Sequence, residues 1–437
     1  MVMQLQINQK SFMFQQAAFL ASSNIYAVNM RQYTREGTFN SFATHLPRLK
    51  EMGIEILWLM PIHPIGIKNR KGTLGSYYSI KDFKDVNPEY GDKTHFRNLV
   101  NQAHELGMRV ILDWVANHAA WDNVWTVTNP DFFEREDDGN FKSPYDWADV
   151  IQINHNNPAE QQAMIDAMKY WITDFDIDGF RADLAHLTPL PFWINARTQI
   201  TPLKKDLIWL AETEDIPYHQ AFDISFTWKW MHITEDFCQG KEEFNALLGT
   251  LKYYEETFPA DALRMYFTSN HDENSWCGTE YEKYGSRAKA LAVFSFTWGG
   301  IPLIYSGQEL PVSRRLAFFE KDTIEWTDEI ALHSFYKTLL QLRNNNRELF
   351  SGMDCSPVYL NGELGKNVMA FYRKSGKNAV IVFLNMNDST IQYYFSTEGL
   401  EGSYTNIYTA EMVLLNEGSS ITIEPGGFVI FEKNATT

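Results

Sequence analysis

Arg181 and Asp183 stand two residues apart in the stretch 179–186, which reads GFRADLAH. Residues i and i+2 of a strand point to the same side, so a strand here would place a permanent cation beside a carboxylate. The cation would hold the Asp183 carboxyl in its ionised form near neutral pH, as a nucleophile requires. A purely structural ion pair is the alternative, and these two residues alone do not decide between the interpretations.

Other residues capable of acid–base chemistry or hydrogen bonding follow the ends of other predicted strands. They are Asp113, Asn117 and His118 after the third strand, Glu212 after the fifth, and Asn270, His271 and Asp272 after the seventh. A single residue of this kind is commonly a helix cap or a turn former. Carboxylates, histidines and an arginine at successive strand ends instead indicate one shared site, because parallel strands bring their carboxyl ends together in a barrel.

Eight short apolar segments, most of them separated by helical patterns, are the predicted strands. They are residues 24–30, 54–60 and 109–114, the start of 179–186, and residues 207–211, 221–226, 264–269 and 301–306. No full helix fits between the fifth and sixth strands, so the repeat is imperfect there. Eight strands with intervening helices predict an α/β fold, a (β/α)8 TIM barrel, in preference to a doubly wound open sheet.

Helix boundaries are marked at several points along this repeat. Gly53 and Gly107 each follow an amphipathic run and are predicted to end a helix. Asn157 and Pro158 form a cap and a first helical position for a long helix that ends before the fourth strand. These signals place helices between the strands, as a barrel requires.

The chain is predicted to divide into three parts. The catalytic barrel takes residues 1–118 and 157–349, and residues 119–156, a long aperiodic stretch, form a short inserted subdomain. Residues 350–437 form a separate C-terminal all-β sandwich, with strand-like runs at 368–372, 379–384, 391–395 and 428–432. Turn signals at Asn361-Gly362 and Gly426-Gly427 punctuate these runs, and no helical period is evident after about residue 345.

Composition excludes several classes of function. A chain of 437 residues is too long for a single hydrophobic core, so more than one domain is expected. A net charge of −17 argues against a nucleic-acid partner. The apolar runs are too short to span a membrane, and residues 12–21 make a poor signal peptide. The sequence does not determine the cellular compartment, for which we prefer the cytoplasm, and it does not determine the oligomeric state. Cys238, Cys277 and Cys355 are too far apart to indicate a disulfide framework or a metal cluster.

Four ordered motifs resemble the signatures of the alpha-amylase family of retaining glycoside hydrolases, which act on α-glucosidic bonds. The motifs are DWVANH at 113–118, GFRADLAH at 179–186, LAE at 210–212 and FTSNHD at 267–272. Supporting matches lie at 77–83, 87–91 and 301–309. The resemblance extends from about residue 24 to the C-terminus, and four motifs in order make it specific.

The resemblance implies a role for each of three acids. Asp183 is implied to be the nucleophile that forms a β-glycosyl intermediate, and Glu212 the general acid that then acts as general base. Asp272 corresponds to a third carboxylate that braces the sugar hydroxyls in the transition state. A retaining pair needs one ionised and one protonated carboxyl group about 5–5.5 Å apart. Glu214, two residues beyond Glu212, is a competitor for the role of general acid.

The resemblance also implies a set of substrate-binding residues, with Asp113 shaping the site. The set is Tyr78, His118, Arg181, His186 and His271. His186 lacks the lysine that precedes it in many endo-acting members, because Ala185 stands there. Trp121, Trp125, Trp147 and Trp276 are candidate platforms for further glucosyl units, with burial in the core as the alternative.

The predicted function is hydrolysis of α-1,4-glucosidic bonds in starch-type α-glucans or maltooligosaccharides. An α-glucosidase or a 4-α-glucanotransferase with the same site is the first alternative, and a non-catalytic glucan-binding relative is the second. Asn117 matches a calcium ligand of many members, but the inserted loop is short for a complete site. We therefore expect no required cofactor or metal, with calcium left open.

Overall fold

A computed structural model of the chain describes residues 14–351, 356–360, 367–396 and 399–433. Cys355, the predicted turn Asn361-Gly362 and the start of the segment 12–21 lie outside these residues. Within them, no helix combines the length and the apolar character needed to cross a bilayer.

Eight parallel strands close into a barrel, as the sequence predicts. They are β1 (Ile25–Val28), β2 (Ile56–Leu59), β3 (Arg109–Trp114), β4 (Gly179–Ala182), β5 (Ile208–Ala211), β6 (Ile224–Phe226), β7 (Leu263–Tyr266) and β8 (Ile301–Tyr305). Each strand pairs with its neighbours in chain order, and β1 pairs with β8 to complete the circle. The doubly wound alternative is therefore excluded.

Helices separate most of the barrel strands, and the helix ends predicted at Gly53, Gly107 and Asn157-Pro158 are observed to within two residues. They are α1 (Met30–Tyr33), α2 (Phe39–Ala43), α3 (Leu46–Met52), α4 (Lys93–Glu105), α5 (Trp125–Thr128), α6 (Pro158–Phe175), α7 (Leu190–Ile200), α8 (Trp228–Cys238), α9 (Phe244–Thr257), α10 (Glu280–Tyr284), α11 (Ala288–Thr297), α12 (His333–Asn345) and α13 (Arg347–Ser351). The Asn157 side chain accepts a hydrogen bond from the Ala159 N–H at the start of α6. Gly53 adopts a left-handed conformation (φ 112°) at the end of α3, which a residue with a Cβ rarely adopts.

Two long connections rise from the carboxyl ends of the barrel strands. The first, the β2 loop, comprises residues 60–92. The second, the insert, comprises residues 119–156 after β3 and is entered by a hairpin in which His118–Ala120 pairs with Val150–Gln152. Both connections stand over the end of the barrel where the candidate acids lie.

The C-terminal region is all-β, and its strands form two sheets. They are β9 (Val358–Tyr359), β10 (Val368–Ser375), β11 (Asn378–Asn385), β12 (Ile391–Tyr394), β13 (Gly402–Asn406), β14 (Met412–Leu415), β15 (Ser420–Ile423) and β16 (Phe428–Lys433). The larger sheet has the order β9-β10-β11-β16-β13-β14, and β12 pairs with β15. Four of these strands match predicted runs, and the predicted boundary between residues 349 and 350 falls inside α13.

One face of the larger sheet packs on the barrel rather than standing apart from it. Phe371 and Val382 belong to the same buried cluster as the barrel strands, whereas Phe383 and Ile381 face a second cluster between the two C-terminal sheets. The Phe371 ring lies 4.9 Å from that of Trp298, at the end of α11. The strand β11 is thus buried on both faces and connects the two cores.

Candidate active site

The Arg181 guanidinium lies at the centre of the polar residues found at the carboxyl ends of the strands. It is fully buried, and its Nη1 donates to both Asp113 oxygens at 2.7 and 2.9 Å and to Asp183 Oδ1 at 2.9 Å. Its Nη2 lies 2.7 Å from Glu212 Oε2. The predicted Arg181–Asp183 pair exists, but one cation is shared by three carboxylates.

This sharing changes the electrostatics expected for Asp183. Burial raises its pKa well above the ordinary range, and the charges of Glu212 and Asp113 act in the same direction, while Arg181 lowers it. Burial also raises the pKa of Asp113 to about 6 in spite of its two hydrogen bonds from Arg181. The expectation that the arginine alone keeps Asp183 readily ionised is therefore incomplete, because the neighbouring acids oppose it.

Glu212 is held by the backbone that follows Asp183. The Leu184 N–H donates to Glu212 Oε2 at 2.8 Å, and the Ala185 N–H donates to the Glu212 carbonyl at 3.2 Å. Leu184 reaches this position in a left-handed conformation (φ 40°, ψ 50°), which is strained for a residue with a bulky side chain. The turn after β4 thus fixes the acid that follows β5.

Glu214, the competitor for the role of general acid, points elsewhere. Its carboxylate accepts a very short hydrogen bond from the Tyr254 hydroxyl and another from the Lys229 N–H at 3.0 Å. These partners lie on α8 and α9, outside the barrel mouth. The geometry favours Glu212 over Glu214 as the residue available to a substrate.

Asp272, His271 and Tyr78 lie together on the other side of the site. The Tyr78 hydroxyl lies 2.6 Å from His271 Nε2 and donates to Asp113 Oδ2 at 3.1 Å. The Tyr78 ring also stacks on the His271 ring, with centroids 5.5 Å apart. Burial lowers the pKa of His271 to about 3, so this histidine is neutral where it meets the Tyr78 hydroxyl.

Asp272 differs from the other acids because it opens towards solvent. Its side chain is 38% exposed, and its Oδ2 lies 3.3 Å from His271 Nε2. Desolvation by the surrounding protein nevertheless raises the pKa of Asp272 to about 6. An accessible carboxylate at this point can contact hydroxyl groups of a bound ligand.

His118 and Asn117 connect the site to the insert. His118 is buried, its ring lies 5.6 Å from that of Trp147, and burial lowers its pKa to about 4. The Asn117 side-chain oxygen accepts a hydrogen bond from Gln152 Nε2 at 2.9 Å. That oxygen is therefore engaged by the hairpin of the insert rather than presented to a metal ion.

No group of three or more His, Cys, Asp or Glu side chains is arranged to hold a metal ion within the part of the chain that the structure describes. The Asn117 oxygen is engaged by Gln152, and no step proposed below uses a metal ion. That the protein requires no metal or other cofactor stays a prediction.

A cavity of about 300 Å³ opens among these residues at the barrel mouth. We call it the central cavity. It is lined by Lys71, Ser76, Tyr78, His118, Trp147, Asp149, Val150, Asp183, Leu184, Glu212, Asp272, Phe318 and Phe319. The structure thus brings the three predicted catalytic acids to one cavity, together with Tyr78 and His118.

Three predicted substrate-binding residues do not line the central cavity. Arg181 lies beneath the carboxylates, and His271 lies behind Tyr78 with 1% of its surface exposed. His186 lies on the turn beyond Leu184 with an exposed side chain. Their proposed contacts with a substrate stay predictions.

Of the four candidate tryptophan platforms, Trp147 lines the cavity, whereas Trp276 is exposed beside it. The Trp276 ring packs against Phe318 at 5.3 Å. Sequence reasoning missed the lining residues Lys71, Asp149 and Phe318, which belong to no motif. For Lys71, the one local signal in the sequence is the polar run KNRK at 68–71.

Comparison with known proteins agrees with this architecture. A family model described as the alpha amylase catalytic domain matches residues 6–150 and 133–350. The matched residues include β1 to β8 and the three acids Asp183, Glu212 and Asp272. The chain belongs to the alpha-amylase family of glycoside hydrolases.

Individual relatives support the assignment over nearly the whole chain. An alpha-amylase from Lactobacillus plantarum is 30% identical and superposes with a TM-score of 0.86, covering 95% of this chain and 100% of that one. A maltogenic alpha-amylase, AmyB, from Thermotoga neapolitana is 31% identical with a TM-score of 0.87, covering 95% and 99%. Alpha-amylase 2 of Dictyoglomus thermophilum is 24% identical over 415 residues, which are 89% of this chain and 69% of that protein.

Proposed function

We propose that the protein hydrolyses α-1,4-glucosidic bonds in starch-type glucans or maltooligosaccharides with retention of configuration. The observation that carries the proposal is that Asp183 and Glu212 share the Arg181 guanidinium and line one cavity, with Asp272 across from them. Relatives named alpha-amylase, maltogenic alpha-amylase and cyclomaltodextrinase support the substrate class.

The first step of the proposed mechanism forms a covalent intermediate. The Asp183 carboxylate attacks the anomeric carbon while Glu212 gives its proton to the glycosidic oxygen, so the C–O bond breaks and the leaving chain departs as an alcohol. Positive charge develops on the sugar ring in the transition state. The carboxylates gathered around one arginine favour that charge, because they outnumber the cation that neutralises them.

The second step releases the sugar. A water molecule gives a proton to the Glu212 carboxylate and attacks the anomeric carbon, which breaks the bond to Asp183 and restores both acids. Asp272, Tyr78 and His118 hold the hydroxyl groups of the sugar that is attacked.

Replacing the nucleophile tests the proposal. Asp183→Asn should lower kcat for maltoheptaose hydrolysis by more than about 10³-fold, because an amide cannot form the glycosyl intermediate. Glu214→Gln is the control, since Glu214 is a partly buried carboxylate that lies outside the cavity, and it should keep activity within about tenfold of wild type. Near-normal activity of Asp183→Asn in a folded sample would refute the mechanism.

An α-glucosidase and a 4-α-glucanotransferase use the same two steps with different acceptors. The same assay separates them by its early products. A mixture of short oligomers supports the hydrolase, glucose alone supports the α-glucosidase, and chains longer than the substrate support the transferase. If the wild-type protein binds maltoheptaose without turnover, it is instead a non-catalytic glucan-binding protein.

A further inference from the structure

Lys71 and Asp149 form an ion pair in the wall of the central cavity. Lys71 Nζ lies 2.9 Å from Asp149 Oδ1, and both residues line the cavity. The Lys71 side chain is 40% exposed, whereas that of Asp149 is 8% exposed. Lys71 belongs to the β2 loop and Asp149 to the insert, so the pair joins two separate connections above the barrel.

The backbone around each partner is fixed, so the pair is not a chance encounter of mobile side chains. Beside Lys71, the Thr73 N–H donates to Glu320 Oε1 at 2.8 Å and the Leu74 N–H donates to the Phe319 carbonyl at 3.1 Å. On the other side, Ser79 Oγ donates to the Asp149 carbonyl at 3.1 Å. With the backbone held on both sides, less conformational freedom is left to lose when a ligand binds between the two charged groups.

The order of the strands tells which part of a bound glucan would meet this pair. Glu212, after β5, protonates the glycosidic oxygen in the proposed mechanism and so marks the side of the leaving group. Asp183 follows β4, and the loops with Lys71 and Asp149 follow β2 and β3, on the opposite side of Asp183 from Glu212. The pair therefore faces the glycone, the part of the chain on the non-reducing side of the bond.

Resting on the proposed function, we infer that the Lys71–Asp149 pair ends the glycone side of the cavity and binds the hydroxyl groups of the non-reducing terminal sugar. An ammonium group donates and a carboxylate accepts, so the two together satisfy neighbouring hydroxyls, which do both. The cavity volume of about 300 Å³ is at the lower end for small-ligand sites, which suits a short glycone. The pair thus directs cleavage to bonds near a chain end.

A maltoheptaose whose non-reducing end carries a 4,6-O-benzylidene group tests the inference. The bulky group blocks the hydroxyls that the pair would bind, so wild-type protein should cleave the blocked substrate at least about tenfold more slowly than the free one. Lys71→Met and Asp149→Asn should each reduce this preference several-fold. Lys142→Met is the matched control, because Lys142 pairs with Glu134 at 3.0 Å in the same insert but outside the cavity.

The outcomes separate the inference from the proposed function. Equal cleavage of the blocked and free substrates by the wild type overturns the inference and leaves the hydrolase proposal intact. Equal losses on both substrates in Lys71→Met and Asp149→Asn, with an unchanged ratio, assign the pair a structural role and also overturn it. Absence of wild-type turnover of free maltoheptaose instead refutes the proposed function itself.

Discussion

Asp113 lies below the central cavity, yet its charge acts on the residue proposed as the nucleophile. It shares Arg181 with Asp183 and Glu212, and its side chain is completely buried. Each oxygen has a donor: Arg181 Nη1 bonds both, and Trp58 Nε1 donates to Oδ2 at 3.0 Å. Asp113 therefore positions Arg181 and sets the local potential without touching the substrate.

The acid side of the pH profile should report this coupling. Asp183 must be ionised to attack, and its pKa is raised, so kcat/KM should fall as the pH drops through a value above the ordinary Asp pKa of about 3.9. Asp113→Asn removes a negative neighbour that raises the pKa of Asp183. This variant should move the acidic limb of kcat/KM to lower pH by about half a unit or more.

Asp223→Asn is the control for this pH shift. Asp223 is also a buried aspartate paired with an arginine, since Arg197 Nη2 donates to it at 2.7 Å, but it does not line the central cavity. The acidic limb of the kcat/KM profile of Asp223→Asn should coincide with that of the wild type. An unmoved limb in Asp113→Asn would show that Asp113 does not set the ionisation of the nucleophile.

The acids of the site were predictable from sequence because each lies at the end of a barrel strand in a short motif. Asp183 is fixed to Arg181 by strand alternation, and Glu212 follows the apolar run of β5. Lys71 and Asp149 were not predictable, because their contact depends on the paths of two loops that have no periodic pattern. The raised pKa of Asp183 was not predicted either. The sequence does not show that Asp113 and Glu212 share the Arg181 cation with Asp183, because that contact depends on the folded structure.

At the level of elements, Gly179 sets how closely β4 approaches β5. It has φ 145°, and a Cβ on it would lie 2.0 Å from the Ile208 carbonyl oxygen of the neighbouring strand. Real Cβ atoms do not come so close to backbone, so the pairing of these two strands requires glycine here. The pairing places Asp183 beside Glu212.

Substitution at two glycines should have opposite effects on stability. Gly179→Ala should destabilise the protein by on the order of 3–5 kcal/mol, because the clash is with backbone that cannot move without opening the barrel. Gly249→Ala, in the exposed interior of α9 where an added Cβ contacts nothing within 4 Å, should stabilise by about 0.5–1 kcal/mol. Chemical denaturation of both variants measures the difference, and similar values would contradict this view of the β4–β5 pair.

The helix ends marked by caps and glycines were predicted because their signals are local, whereas several barrel strands begin or end two or three residues from their predicted bounds. Asn157 and Pro158 begin α6, and Gly53 ends α3, where each changes the hydrogen bonding or the backbone conformation of its own turn. The short strands β9, β13, β14 and β15 were missed, since runs of two to five residues are too short to show a clear alternation. The strained Leu184 was also missed, because nothing in its side chain favours a left-handed backbone.

At the scale of the whole molecule, the barrel and the C-terminal sheets share buried residues. Successive residues of β10 and β11 point alternately to the barrel and to the second sheet, so Phe371 packs with Trp298 while Phe383 packs with Tyr393. Sequence composition revealed the strands but not this second buried face. The prediction of a separate sandwich therefore understated the contact between the two parts.

Thermal unfolding should be a single transition in which both parts melt together. Phe371→Ala and Phe383→Ala each remove a fully buried ring and should cost about 3–5 kcal/mol, which lowers Tm by about 3–5 °C for a chain of this length. Activity, which reports the barrel, and far-ultraviolet circular dichroism, which reports the C-terminal sheets as well, should be lost at the same temperature in both variants. An early transition in Phe383→Ala that leaves activity intact would instead show that the C-terminal sheets unfold independently.

The hydrogen bonds of Thr73 and Leu74 to Glu320 and Phe319 join the loops that follow the second and the last strands of the barrel. Contacts between such distant parts of a chain form late, because a large loop must close first. During synthesis, the wall that holds Lys71 cannot assemble until residue 320 has left the ribosome. Asp183 and Glu212, at the ends of β4 and β5, are therefore synthesised well before the residues that complete the central cavity. A partly synthesised chain contains these acids but has no complete active site.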